Sequence, residues 1–370
     1  MKAAVLKALG SPLVVEELPD PDLGTGEVIV DVVATWVLPY MNEVISGERN
    51  YLIDLPLAPG LGAIGRIRAL GPDATKLAVG DWVFCDPTVR SRDDALQPDI
   101  LLQGLAAGGD GGLKLQRYFR HGSFAELIRV PTENATPLGA IDPAQAPAWC
   151  ALGTYLVSYG GLNAIGFQPG ETLLISGATG NFGGAGVAVA LAMGAASVIA
   201  PGRNSAALAG LERRFGARVK TVQLTGDEVA DRENMKRAAP GPIDCVLDIL
   251  PPSASVSAVR AAVMTVRSYG RVALMGGVGM AGGGDLALPY PWLMRNCVTV
   301  RGQWMYPREA SLRLIAMIRA GLLKLEMFET TAFGLDEVEK AIAHAAAHRG
   351  AFKATVIQPR RPLSTTSPIS

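Results

Sequence analysis

Gly177, Gly180 and Gly183 recur every third residue in Leu173-Leu-Ile-Ser-Gly-Ala-Thr-Gly-Asn-Phe-Gly183, between an apolar run and a stretch of small residues. A strand that runs into closely spaced glycines and then a helix brings backbone close to a pyrophosphate. The turn is tight, the missing side chains clear space, and the N–H groups that open the helix face the anion. Gly177, Thr179, Gly180, Asn181, Phe182 and Gly183 are therefore the expected phosphate-binding residues. Gly183 and Gly184 let the helix pack close to the sheet.

The next apolar run, Ser197-Val-Ile-Ala200, should be the second strand of the same sheet, with its end near the adenosine ribose. A site that prefers NAD places a carboxylate there, which holds the ribose hydroxyls and repels a 2′-phosphate. Here the chain reads Ala200-Pro-Gly-Arg-Asn204, with no acid. Arg203, 20 residues after Gly183, can pair with a phosphate, and Asn204 can add a hydrogen bond. The expected cofactor is NADP(H). The competing reading of Arg203 is a solvated loop cation, and the missing acid argues against it.

Composition narrows the partners. The chain has 370 residues with 34 basic and 34 acidic side chains, so no global field favours nucleic acid or an anionic membrane. The longest uncharged run, between Glu171 and Arg203, holds several glycines and splits into strand, helix and strand rather than forming a span. No signal-like apolar stretch opens the chain. Cys85, Cys150, Cys245 and Cys297 are far apart, with no C-x-x-C pair. A cytoplasmic, disulfide-free protein acting on a small-molecule substrate is the simplest expectation.

The elements that must position these residues fall into two rhythms. Short strands separated by Gly and Pro turns dominate the first part: Ala3–Leu6, Leu13–Glu17, Val28–Ala34, Gly62–Leu70, Asp81–Phe84 and Phe124–Val130. Between Asp86 and Gly122 lies a long insert without clear strands, read as a binding loop or lobe. From about Gln145 helix and strand alternate, the pattern of a doubly wound parallel sheet. The expected division is a β-rich catalytic domain over 1–147, a nucleotide domain over 148–305, a return to the first domain over 306–358, and a flexible tail over 359–370.

Met1-Lys-Ala-Ala-Val, Gly80-Asp-Trp-Val83, Gly122-Ser-Phe-Ala-Glu126, Cys150-Ala-Leu-Gly-Thr154, Gly270-Arg-Val-Ala-Leu-Met-Gly-Gly277 and Arg301-Gly302 together resemble the medium-chain dehydrogenase/reductase superfamily over nearly the whole chain. The resemblance implies a Rossmann doubly wound parallel sheet inserted in a GroES-like β-barrel catalytic domain, a site in the cleft between them, and a homodimer formed by pairing sheet edges. It also assigns Thr154 to the nicotinamide face. Gly276, Gly277 and Val278, with Gln303, Trp304 and Met305, are implied at the nicotinamide end. Lys353 could reach the cofactor phosphates, with a surface lysine as the equal alternative.

Many members of that superfamily hold a catalytic zinc, which needs three protein ligands and an open position. Where the first ligand, a Cys followed by His, is expected, this chain has Leu38 and Pro39. Leu61 and Gly62 stand in place of the His and Glu of the second motif, and only Cys150 remains. The structural-zinc lobe has Cys85 alone. No metal site is expected, and Cys150 reads as a packed side chain. His344 and His348, spaced i, i+4, read as a solvated helical face.

These departures resemble the zinc-free, quinone oxidoreductase-like branch, which implies hydride transfer from NADPH to a quinone, an enone or a reactive carbonyl. Without a metal, a hydrogen-bond donor must stabilise charge on the acceptor oxygen. Tyr40 and Tyr51 are the candidates, each evenly matched against simple packing, and Asn42 is a weaker one. Two alternatives stay open: a non-catalytic NADPH-binding sensor or structural protein, and an alcohol dehydrogenase with an unusual metal site.

Overall fold

The computed structural model describes residues 1–280, 282 and 284–360. The chain divides into two compact units. One holds Met1–Gly153, Leu325–His348 and the chain from Lys353; the other holds Thr154–Lys324 and Arg349–Phe352. Residues 306–324 thus fall within the second unit. Of the tail expected over 359–370, residues 361–370 lie outside the described residues.

The second unit is built on six parallel strands: Thr172–Ser176, Ser197–Gly202, Val219–Gln223, Ile243–Asp248, Val266–Leu274 and Thr299–Gly302. Taken in chain order, they lie three-two-one-four-five-six across the sheet. This is the doubly wound order, and strand order reverses between the first and fourth strands. Leu174, Ile199, Val222, Val246 and Val272 supply one buried side chain from each of five strands to a common core, where Met235, Val259 and Ala262 of the helices meet them. The first strand is buried throughout, with Leu173, Leu174 and Ile175 fully enclosed. Each such side chain contributes roughly 1.5–3 kcal/mol by leaving water. That burial fixes the direction in which the strand delivers Gly177.

In the first unit the long strand Glu27–Val37 is the organising element. It pairs antiparallel with Ala63–Leu70, with Leu127–Pro131 and, through Thr35 and Ile357, with the C-terminal strand Lys353–Gln358. Val28, Val30 and Val32 alternate along it into a core shared with Ile67, Val83, Ile128 and Val130, as a half-buried period of two requires.

The insert is not the strandless loop expected from sequence. Thr88–Arg90, Ile100–Leu102 and Ala106–Ala107 form a three-stranded antiparallel sheet, followed by the helix Gly109–Phe119. Val89, Leu101 and Phe119 give the lobe its own small core, with Leu115 against it. Its anchor is backbone on backbone. A side chain at Gly104 would place Cβ 2.2 Å from the Gly60 carbonyl oxygen, and one at Gly122 would place it 2.3 Å from the same atom. Only glycine tolerates that approach.

Candidate functional site

The strand ending at Ser176 turns sharply at Gly177, whose φ of +94° lies in the left-handed region. Gly180 then caps the helix Asn181–Ala192, and its N–H donates back to the Gly177 carbonyl at 2.9 Å. At Gly183 an added Cβ would lie 2.0 Å from that same carbonyl oxygen. The loop therefore closes on itself only because position 183 has no side chain.

The helix that follows has no side-chain cap and no acidic residue in its first turn. The neighbouring helices differ: Asn204 accepts from the Ala207 N–H at 3.0 Å, Asp227 from Ala230 at 2.7 Å, and Ser255 from Ala258 at 3.2 Å. A bare N-terminus on a glycine turn suits an anion such as a pyrophosphate. Of the other loop residues, Asn181 is buried, Phe182 accepts a hydrogen bond from the Ser158 hydroxyl at 2.7 Å, and Thr179 accepts one from the Ala351 N–H at 3.2 Å. The residues present fit a dinucleotide phosphate.

Arg203 and Asn204 follow directly on the second strand, which ends at Gly202, and both are exposed. Their roles diverge. The Asn204 carbonyl oxygen is occupied as the helix cap, so only its amide N–H groups are left to offer a ligand. Arg203 is held through its backbone, where the carbonyl accepts from Gln223 at 2.7 Å. No acid stands between Ala200 and Asn204.

A second turn meets the glycine loop at the point where strand order reverses. Ser176 and Asp248 are register partners. The Gly177 backbone approaches Ile249, and the Ile249 N–H donates to the Ser176 carbonyl at 3.1 Å. Met275 donates to the Asp248 carbonyl at 2.9 Å, and Gly277 to that of Leu250 at 2.8 Å. A Cβ at Gly276 would strike the Asp248 carboxyl at 2.7 Å. Val278 is half-buried just beyond. Gln303 joins this edge through its N–H, which donates to the Leu274 carbonyl at 3.0 Å. Trp304 is exposed and Met305 buried. Thr154 is buried on the helix Ala151–Ala164.

In the first unit the structure brings the two tyrosines together. The Tyr51 phenol lies close enough to that of Tyr40 to influence its ionisation. Burial and then the neighbouring Tyr51 push the Tyr40 phenol well above its ordinary value, against the pull of Arg49. The Arg49 guanidinium lies 4.0 Å from the Tyr40 ring centroid, and its Nε donates to Glu43 at 2.8 Å. Tyr40 is thus a neutral hydrogen-bond donor through the physiological range, stacked beneath a paired cation. Asn42 lies next to Glu43 in the short helix Met41–Ser46.

The zinc positions are filled by packing. Leu38 is fully buried, and Gly62 directs its carbonyl at the Thr35 hydroxyl, 2.9 Å away. With Thr35 donating there, Ser123 donates to Thr35 at 2.5 Å. Leu61 is half-buried. The Cys150 thiol donates to the Ala146 carbonyl at 3.7 Å, and burial pushes it far above the usual thiol range, so it is no ready thiolate. Among the described residues, no three His, Cys, Asp or Glu side chains could share a metal. The donor set does not fit zinc.

The surface lysine and histidines have the following partners. Lys353 is ion-paired with Glu329 within the first unit. His344 is half-buried rather than on a solvated face: its Nδ1 lies 2.9 Å from the Thr355 hydroxyl, and its ring stacks on His348 at 4.0 Å. Asp248 and the Glu43–Arg49 pair escaped sequence reasoning. A carboxylate ending a buried strand beside a glycine turn was the available signal for Asp248.

Comparison with known proteins agrees with this geometry. Residues 24–140 match the alcohol dehydrogenase GroES-like domain. An alcohol dehydrogenase of Rhizobium meliloti is 29% identical, over 84% of this chain and 85% of that protein. The sorbitol dehydrogenase of Bacillus subtilis is 24% identical, over 98% of each. Among solved structures, the alcohol dehydrogenase TADH from Thermus sp. ATN1 superimposes with a TM-score of 0.78 at 19% identity, over 97% of this chain and 99% of that one.

Proposed function

We propose that the chain is an oxidoreductase of the alcohol dehydrogenase, or medium-chain dehydrogenase/reductase, type, to which its GroES-like domain and its relatives are similar, and within it an NADPH-dependent reductase of quinones, enones or reactive carbonyls that works without zinc. The observation that carries the metal-free part is the packed donor set, with Leu38, Leu61 and Gly62 where ligands would stand. The cofactor preference rests on Arg203 and on the missing acid beside it.

Bound NADPH supplies a hydride. The chain's own residues bind and orient. The bare helix end after Gly180 and the Gly276–Gly277 turn would hold the dinucleotide, and Arg203 would supply the positive charge for the 2′-phosphate. Tyr40, neutral and beside Tyr51, donates to the acceptor oxygen as charge develops. A phenol held far above its usual range is a weak acid. It suits an acceptor whose charge is delocalised, such as a quinone or an enone, better than a simple ketone. NADPH oxidation with a panel of quinones and enones tests the reading, and no turnover on any of them sinks it.

The relatives favour a second reading, interconversion of an alcohol and a carbonyl compound. It requires a metal held by donors outside those examined in the superfamily pattern. Alcohol oxidation coupled to stoichiometric zinc would establish it over the first.

The homodimer belongs to the same proposal. The strand Thr299–Gly302 ends the parallel sheet without a further neighbour, and Tyr269, Tyr290, Met294 and Trp304 are exposed in the same unit. Sedimentation equilibrium decides it, since a monomer at micromolar concentration contradicts it. Its four cysteines are free thiols, which suits the reducing cytoplasm.

A further inference from the structure

Asp248 has no part in the chemistry proposed above, yet it sits at the junction of both glycine turns. It ends the fourth strand and is 3% exposed, with the Ser176 hydroxyl and the Leu250 N–H as the polar groups that act on its carboxyl. Its Oδ1 is enclosed with no hydrogen-bond partner among the described residues. Its Oδ2 occupies the space a side chain at Gly276 would need. Its backbone carbonyl takes the Met275 N–H at 2.9 Å, and Ile249 and Leu250, next in the chain, tie back to Ser176 and Gly277.

A carboxylate with one oxygen unpaired in a dry interior is costly, whereas a neutral carboxylic acid leaves far less charge unsolvated. The neighbours are amides, carbonyls and a hydroxyl. The charged groups of the flanking strands, Glu171, Asp244, Arg267 and Arg271, pair with one another toward the opposite end of the sheet. Burial alone raises the Asp248 carboxyl, to about 7, against the neighbouring Ser176 hydroxyl and Leu250 N–H, which lower it.

We propose that Asp248 is a positioning residue for the dinucleotide, holding the two glycine turns together as a neutral carboxylic acid. This rests on the dinucleotide reading of the glycine loop. Ionisation draws water to the carboxyl and loosens the 275–277 turn from the 248–250 turn, so the neutral form is the one that binds.

The test is titration of NADH and NADPH into wild type and Asp248→Asn from about pH 5.5 to about pH 8.5, with the unliganded thermal midpoint measured alongside. NADH carries no group that titrates across this range. Wild-type affinity for NADH should fall at least about threefold toward high pH, approaching tenfold per pH unit above the carboxyl's midpoint. Asp248→Asn keeps the neutral shape and should bind with near-constant affinity, matching wild type at low pH. An affinity ratio between the two proteins that stays constant with pH overturns the proposal and leaves the dinucleotide reading intact. Failure of wild type to bind either dinucleotide overturns both. Should the variant not fold, the wild-type profile decides alone, and a flat one overturns the proposal.

Discussion

Ser176 and Asp248, 72 residues apart in sequence, end adjacent parallel strands as register partners, and the serine hydroxyl acts on the aspartate carboxyl. The two residues close the strand pairing that joins the two halves of the doubly wound sheet where strand order reverses, the place at which such sheets bind ligands.

The contact has a consequence for stability. Asp248 keeps its proton in the folded chain up to about pH 7, while in the unfolded chain it ionises near its ordinary value of 3.8. Its folded value is raised, so the stabilisation is complete in acid, is lost as pH climbs between those two values, and stays lost above the upper one. Asp248→Asn should therefore raise the thermal midpoint at pH 8, by an amount equivalent to at most roughly 4 kcal/mol, and should change little near pH 4. Calorimetry at the two pH values measures the difference, and an equal effect at both contradicts a neutral aspartic acid.

Arg203→Ala should weaken NADPH binding roughly ten- to hundredfold, as loss of a charge-assisted hydrogen bond does. Affinity for NADH should hardly change, because the 2′-phosphate is the only group removed from contact. Equal losses for both dinucleotides, measured by fluorescence titration, would remove the basis for a preference.

Gly183→Ala puts a methyl group 2.0 Å from the Gly177 carbonyl oxygen, a backbone atom that cannot swing aside. The loop must open, so stability should drop by about 1–3 kcal/mol or more and dinucleotide binding should fail. Retained affinity in the alanine variant would mean that the turn does not need its closure.

Tyr40→Phe should lower kcat by roughly tenfold or more and leave NADPH affinity in place, because the hydroxyl acts only on developing charge. Arg49→Met should give a smaller loss, through misplacement of the tyrosine ring that Arg49 covers. If Tyr40→Phe has wild-type kcat, the phenol is a packing group.

Sequence carried the parallel sheet well, because its signals are local. Leu173–Ile175 and Val198–Ala200 are short apolar runs between glycine turns, and nearby residues settle their form. The insert was misread for the opposite reason. Thr88–Arg90 and Ala106–Ala107 are strands of two or three residues among Gly and Asp, and they exist only because they pair with Ile100–Leu102. The same holds at the candidate site. The glycine loop could be read from spacing, whereas the pairing of Tyr40 with Tyr51 and of Ser176 with Asp248 depends on the folded chain. His344 looked solvated by helical position, and the strand carrying Thr355 covers it.

Hydride transfer in the proposed reaction needs no bound metal. The direct measurement is NADPH oxidation with a quinone or enone acceptor by one sample, before and after exhaustive chelation, with its metal content determined alongside. Turnover should be unchanged at substoichiometric metal. Activity that disappears on chelation and returns with added zinc would contradict it.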